Sequence, residues 1–69
     1  MTNTALLEDR IQASGLKKSY IAKVLGLTRA GLSLKIQGVT EFKASEITAL
    51  SELLGIDDWQ ERDRIFFAH

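Results

Sequence analysis

The chain predicts an all-α fold, a compact cluster of five short helices. Three observations predict it. Its 69 residues hold five Gly and no Pro, a composition that favours helices punctuated by glycine. Apolar residues recur at helical spacing within stretches that end at a glycine: Leu7 and Ile11 before Gly15, Ile21 and Leu25 before Gly26, Leu32 and Ile36 before Gly38, Leu50 and Leu54 before Gly55. The connections between these stretches are short, as in helical clusters. A chain of this length forms a single domain and buries only about 60% of its unfolded surface, so its core is small.

The first helix is expected over about 4–14, with Thr4 as N-cap and Glu8 and Asp9 near the positive end of the helix dipole. The second runs over about 18–25 on Ile21, Ala22 and Leu25. Leu27 then leads to Thr28, a good N-cap for a third helix over about 29–37. Both are too short to be stable alone and need each other's apolar faces. The fourth covers about 44–54 on Ile47, Leu50 and Leu54. Lys43 stands at its N-cap and Glu46 at the third position, with Phe42 and Ile47 placed as a hydrophobic staple; lysine caps poorly, so only half a capping box is present. Asp57 or Asp58 caps a fifth helix over about 58–64, whose Trp59 is expected to lie as a lid over the fourth. Residues 65–69 follow as a C-terminal extension, with Ile65, Phe66 and Phe67 either folding back on the core or forming a self-association edge.

Composition excludes much chemistry. There is no Cys, and the single His is His69, so no disulfide, thiolate zinc site, Cys nucleophile or internal imidazole base is available. No enzyme activity, metal, cofactor or small-molecule substrate is expected. Asp57, Asp58, Glu61 and Asp63 lack the alternating spacing of a calcium loop and read as caps and a solvated face. No apolar run approaches the ~18–20 residues of a membrane span, and Met1-Thr2-Asn3-Thr4 does not resemble a leader. A cytoplasmic protein without a membrane partner is expected.

The formal charge is zero, but it is unevenly spread. Residues 17–43 hold Lys17, Lys18, Lys23, Arg29, Lys35 and Lys43 against Glu41, net +5, between acidic flanks of −1 and −4. A basic middle of this kind attracts a polyanion more than the total suggests. Within it, Ala22, Gly26, Leu32 and Ile36 have the spacing of a helix-turn-helix. The small Ala22 lets a second helix pass close, Gly26 can take the positive φ of the turn, and Leu32 and Ile36 wedge that second helix onto the first.

At this point the chain resembles the lambda-repressor/Cro type, or XRE-like, family of helix-turn-helix domains. Ile21-Ala22-Lys23-Val24-Leu25-Gly26-Leu27-Thr28 is similar to its second helix and turn, Leu50-Ser51-Glu52-Leu53-Leu54-Gly55-Ile56 to the end of its fourth. The tail Glu61-Arg62-Asp63-Arg64-Ile65-Phe66-Phe67-Ala68 is similar to that of small phage-encoded regulators in the family. The resemblance implies a compact five-helix lambda-repressor-like DNA-binding domain with its helix-turn-helix at helices 2–3. It implies a Cro-like transcriptional regulator or repressor acting in phage lysis/lysogeny control, often as a homodimer on double-stranded DNA. The recognition helix, about 29–37, would then present Thr28, Arg29, Ala30, Ser33, Leu34 and Gln37 to base edges. Arg29 is suited to the O6 and N7 acceptors of guanine, a pairing worth about 1–3 kcal/mol of discrimination, and Ala30 or Leu34 to a thymine methyl. Lys17, Lys18, Ser19, Lys35, Thr40 and Lys43 would hold phosphates, Lys18 and Ser19 with help from the helix dipole.

The chain departs from the family in having Lys18 where a Gln is usual, Gly31 inside the recognition helix, and an apolar Leu34 on the reading face. Arg29 can instead be a surface ion-pair partner, and Leu34 a thymine contact, a protein contact or a core residue beside Ile36. Tyr20 reads as a packing residue with its hydroxyl at the surface. A second reading on the same scaffold is an antirepressor or modulator that binds a partner phage repressor protein, with weak DNA binding of its own; Leu34, Ala30 and Gly31 on an exposed helix, the zero net charge and the acidic C-terminal part favour it. An antitoxin role is a third.

Overall fold

A computed structural model describes residues 1–68 as five α-helices: α1 (Thr4–Ser14), α2 (Lys18–Leu25), α3 (Arg29–Ile36), α4 (Ala44–Leu54) and α5 (Trp59–Phe66), with no strand among the described residues. Each helix contributes to one apolar cluster: Leu7 and Ile11 from α1, Ile21 and Ala22 from α2, Leu32 and Ile36 from α3, Ile47, Leu50 and Leu54 from α4, Ile65 and Phe66 from α5. Phe42 and Ile56 enter it from the connections. Phe42 meets Phe66 edge to face, the ring centroids 5.4 Å apart and the planes at 85°, a preferred aromatic geometry. α2 packs on both α3 and α4, while α1 spans α3, α4 and α5.

The helix ends follow from backbone chemistry. Gly26, Gly38 and Gly55 take φ of 71°, 80° and 73°, a left-handed conformation that costs glycine nothing. Each closes a Schellman motif. Leu27 N–H reaches the Ala22 carbonyl at 2.8 Å, Val39 N–H that of Leu34 at 3.0 Å, and Ile56 N–H that of Ser51 at 2.8 Å. At the start of α4, Lys43 has no acceptor to offer, so only the return half of a capping box forms: Glu46 Oε1 accepts the Lys43 N–H at 2.8 Å. Phe42 and Ile47, at the staple positions, are both buried.

Four expectations need correction. The N-cap of α1 is Asn3, whose side chain accepts the Leu6 N–H at 3.1 Å. Thr4 is instead the first helical residue, and its hydroxyl donates to the Ile36 carbonyl at 2.7 Å, tying α1 to the end of α3. α3 stops at Ile36 with Gln37 as its C-cap. Asp58 caps α5, its carboxylate accepting the Gln60 N–H, but the helix runs on to Phe66. Ile65 and Phe66 are therefore helical core residues, whereas Phe67 is about half exposed; His69 lies outside the described residues. Finally, Trp59 is no lid: it is 72% exposed. It sits at the opposite end of α5 from Ile65 and Phe66, which fill the core instead.

The two ends of the chain are stitched together. Asn3 N–H donates to the Ile65 carbonyl at 2.6 Å and Ala68 N–H to that of Met1 at 2.8 Å, and Thr2 is buried. Arg10 of α1 donates to the Leu54 carbonyl at 3.0 Å, satisfying one of the orphan acceptors at the end of α4. No helix among the described residues is long and apolar enough to cross a membrane.

Candidate nucleic-acid interface

Helices α2 and α3 are joined by the three residues Gly26-Leu27-Thr28. Ala22, on α2, is buried together with Ile21, and Leu27 packs on the core, so the second helix lies close over the first. The Thr28 hydroxyl accepts the Gly31 N–H at 2.9 Å and starts α3. A Cβ at position 31 would sit 3.0 Å from that Thr28 oxygen, a tight approach that a shift of a few tenths of an ångström in the threonine side chain would relieve.

With about 100° between successive residues of an α-helix, the buried pair Leu32 and Ile36 defines the inner side of α3, and Leu34 lies opposite. It is 43% exposed, which removes the core alternative for this residue. Thr28, Arg29, Ala30 and Gln37 are exposed, and Ser33 is partly so. All six residues expected at base edges thus lie on the outer side or at the ends of α3. Two are internally engaged. The Thr28 oxygen serves the cap, and Arg29 Nη1 donates to the Ser33 hydroxyl one turn on. Arg29 forms no ion pair among the described residues, so its remaining guanidinium donors are unclaimed there.

The residues expected at phosphates divide into two groups. Lys17, Ser19, Thr40 and Lys43 are exposed around the two ends of the α2–α3 unit. Lys18 and Lys35 are instead paired internally. Lys18 Nζ lies 2.8 Å from Glu8 Oε1 on α1, at the rim of a shallow hollow that also includes Ile11, Gln12 and Leu16. Lys35 Nζ donates to Glu46 Oε1 and to the Glu41 carbonyl, each at 2.9 Å, and its side chain is only 13% exposed. Two of its three N–H groups are used, so Lys35 clamps the 37–43 connection to α4 and is not free for a phosphate. Burial, the largest single influence on the Glu46 carboxyl, raises its pKa. The hydrogen bonds from Lys43 N–H and the Lys35 ammonium, with the charges of both lysines, outweigh it and hold the group below its ordinary value.

Val39, which sequence reasoning misses, is 67% exposed; the signal is the spacing Leu34…Gly38-Val39, that of a Schellman motif with its apolar pair. Tyr20 and Val24, one turn apart on α2, are also about half exposed. Among the described residues no three His, Cys, Asp or Glu gather to hold a metal.

No protein-family model matches the chain, and neither a curated protein nor a solved structure is found similar to it.

Proposed function

We propose that the chain is a sequence-specific duplex-DNA-binding regulator of transcription, its α2–turn–α3 unit a helix-turn-helix of the lambda-repressor/Cro type with α3 in the major groove. One observation carries the reading. α3 buries only Leu32 and Ile36 and leaves Arg29, Ala30 and Leu34 exposed, with its C-cap Gln37 exposed beside them, so a helix narrow enough for the ~12 Å major groove has an unobstructed reading side. Its flanks carry Lys17 and Lys43, neither in an ion pair among the described residues, as a groove-seated helix needs on either side.

The test begins with selection of duplexes from a random-sequence pool by the full chain, followed by fluorescence-anisotropy titration at several salt concentrations. Arg29→Ala is expected to reduce the preference for the selected over a scrambled duplex by about five- to 150-fold, the worth of one bidentate base contact. Lys17→Ala should weaken binding to both and lower the salt slope by about one unit. A pool that yields no preferred sequence, or both variants binding like the parent, refutes the reading.

A second reading rests on Trp59. An exposed tryptophan beside Asp57 and Asp58 suits the interface with a basic protein partner, such as a repressor, because aromatic residues are enriched at such interfaces. As the single Trp of the chain, it reports on that complex directly. An emission change on adding the partner, abolished by charge reversal at Asp57 and Asp58, would favour this reading over DNA.

A further inference from the structure

The surface of α3 outside its buried stripe carries two parallel lanes. Arg29 and Ser33, joined by their side-chain hydrogen bond, form a polar lane along the flank next to that stripe. Ala30 and Leu34, four residues apart and therefore stacked on the helix surface, form an apolar one. The helix closure extends that second lane. In a Schellman motif the residue after the left-handed glycine lies beside the residue that opens the closing hydrogen bond. After α2 and α4 the residue so placed is Leu27, packed on the core, and Ile56, 2% exposed. After α3 the same motif instead leaves its apolar pair, Leu34 and Val39, on the outside.

We infer that the lane Ala30–Leu34–Val39 reads the 5-methyl groups of thymine, so that the preferred duplex sets thymines beside the base pair met by Arg29. This rests on the proposal that α3 enters the major groove. Thymine is the base that displays a methyl group there, and small apolar side chains are what contact it. The lane is one residue wide, has no aromatic anchor on α3, and is flanked by hydrogen-bonding groups. A protein–protein contact of ordinary size, about 800 Å² per side and centred on aromatic or arginine anchors, needs a broader apolar centre. Placed opposite the core, Leu34 is the side chain best set to meet the groove floor.

The experiment uses the duplex selected from the random pool. Each thymine is replaced in turn by deoxyuridine, which removes only the methyl group, and binding is measured for the parent, Leu34→Ala and Val39→Ala. The parent is expected to lose about three- to fivefold at one or two positions, the size of burying a single methyl. Leu34→Ala should bind the thymine and deoxyuridine forms of those duplexes equally. Val39→Ala, which leaves the helix itself untouched, should blunt the difference at one of them. The inference is overturned if the parent binds every thymine and deoxyuridine duplex alike, or if Leu34→Ala keeps the parental discrimination; Leu34 would then belong to a protein contact or to the helix closure alone. A pool with no preferred sequence removes the groove reading itself, and this inference with it.

Discussion

Replacing Glu46 by Gln removes one charge from the most buried ion pair among the described residues and little else. The parent pair joins Lys35 Nζ to Glu46 Oε1 at 2.9 Å, with side chains 13% and 9% exposed. Removing one partner of a fully buried pair costs roughly 3–5 kcal/mol, because the other charge is left unpaired. Here the Lys35 ammonium keeps the Glu41 carbonyl and some solvent, and the introduced amide oxygen can still accept the Lys43 N–H. A loss of about 2–3 kcal/mol is therefore expected, a large share of the stability of so small a domain. Lys35→Met should cost somewhat less, about 2 kcal/mol, since Glu46 retains its backbone donor, and the double variant should cost less than the two singles added together. Urea unfolding followed by circular dichroism at 222 nm measures this; Trp59 is too exposed to report on the core. The pH dependence provides a separate check. A carboxyl whose pKa is lowered by folding adds stability above its unfolded pKa, near 4.5, and that stability is lost as pH falls through the lower, folded value. The gap between parent and Glu46→Gln should therefore be full at pH 7 and shrink below about pH 4.5. A cost under about 0.5 kcal/mol at pH 7, or a gap unchanged at pH 3, would refute the assignment of this pair as the clamp between α3 and α4.

Three further outcomes are expected. Ser51 is fully buried in α4 and its hydroxyl has no hydrogen-bond partner among the described residues; Ser51→Ala should stabilise by about 1 kcal/mol and raise Tm by roughly 4–8 °C in thermal unfolding. Thr28→Ala removes the acceptor that starts α3 and should cost about 1 kcal/mol in the same assay, whereas Thr28→Ser should restore most of it. Glu8→Gln releases Lys18 from a pair whose side chains are 31% (Lys18) and 42% (Glu8) exposed. Stability should change by less than about 0.5 kcal/mol, while binding to the selected duplex should tighten and its salt slope steepen by up to one unit.

The first four helices are legible in the sequence because their stop signals are local, whereas α5, which no glycine closes, runs two residues past its expected end. A glycine able to adopt positive φ stands after α1, α2 and α4 and one residue beyond the Gln37 cap of α3, and the apolar stripe before each points inward. What the sequence conceals depends on distant partners. Asn3 and Thr4 are both competent caps, and the choice between them turns on the Ile36 carbonyl, 32 positions away, which takes the Thr4 hydroxyl. Trp59 is the largest apolar side chain of the chain and is expected inside, but Ile65 and Phe66 occupy the place, Phe66 against Phe42. Of the candidate interface, the exposure of Ala30 and Leu34 follows from helical periodicity once Leu32 and Ile36 are placed inward, whereas that of Arg29 comes from its place at the start of α3. The roles of its lysines do not, because a charge count along the chain is blind to an acid on another helix.

Those hidden acids change the electrostatics of the proposed DNA contact. Glu8 and Glu46 neutralise Lys18 and Lys35, so of the six cations in residues 17–43 only Lys17, Lys23, Arg29 and Lys43 have no ion pair among the described residues. Each phosphate neutralised contributes about −0.9 to the slope of log affinity against log salt. Four cations therefore cap that slope near −3 to −4, where six would have reached beyond −5. A footprint this small cannot supply tight binding through the backbone alone. Discrimination must come from the outer side of α3, or a second DNA-contacting unit must be joined to the first, and the measured slope tells these apart. A value near −3 with strong sequence preference assigns the affinity to α3 in a single chain. A slope about twice as steep means that two chains share one duplex.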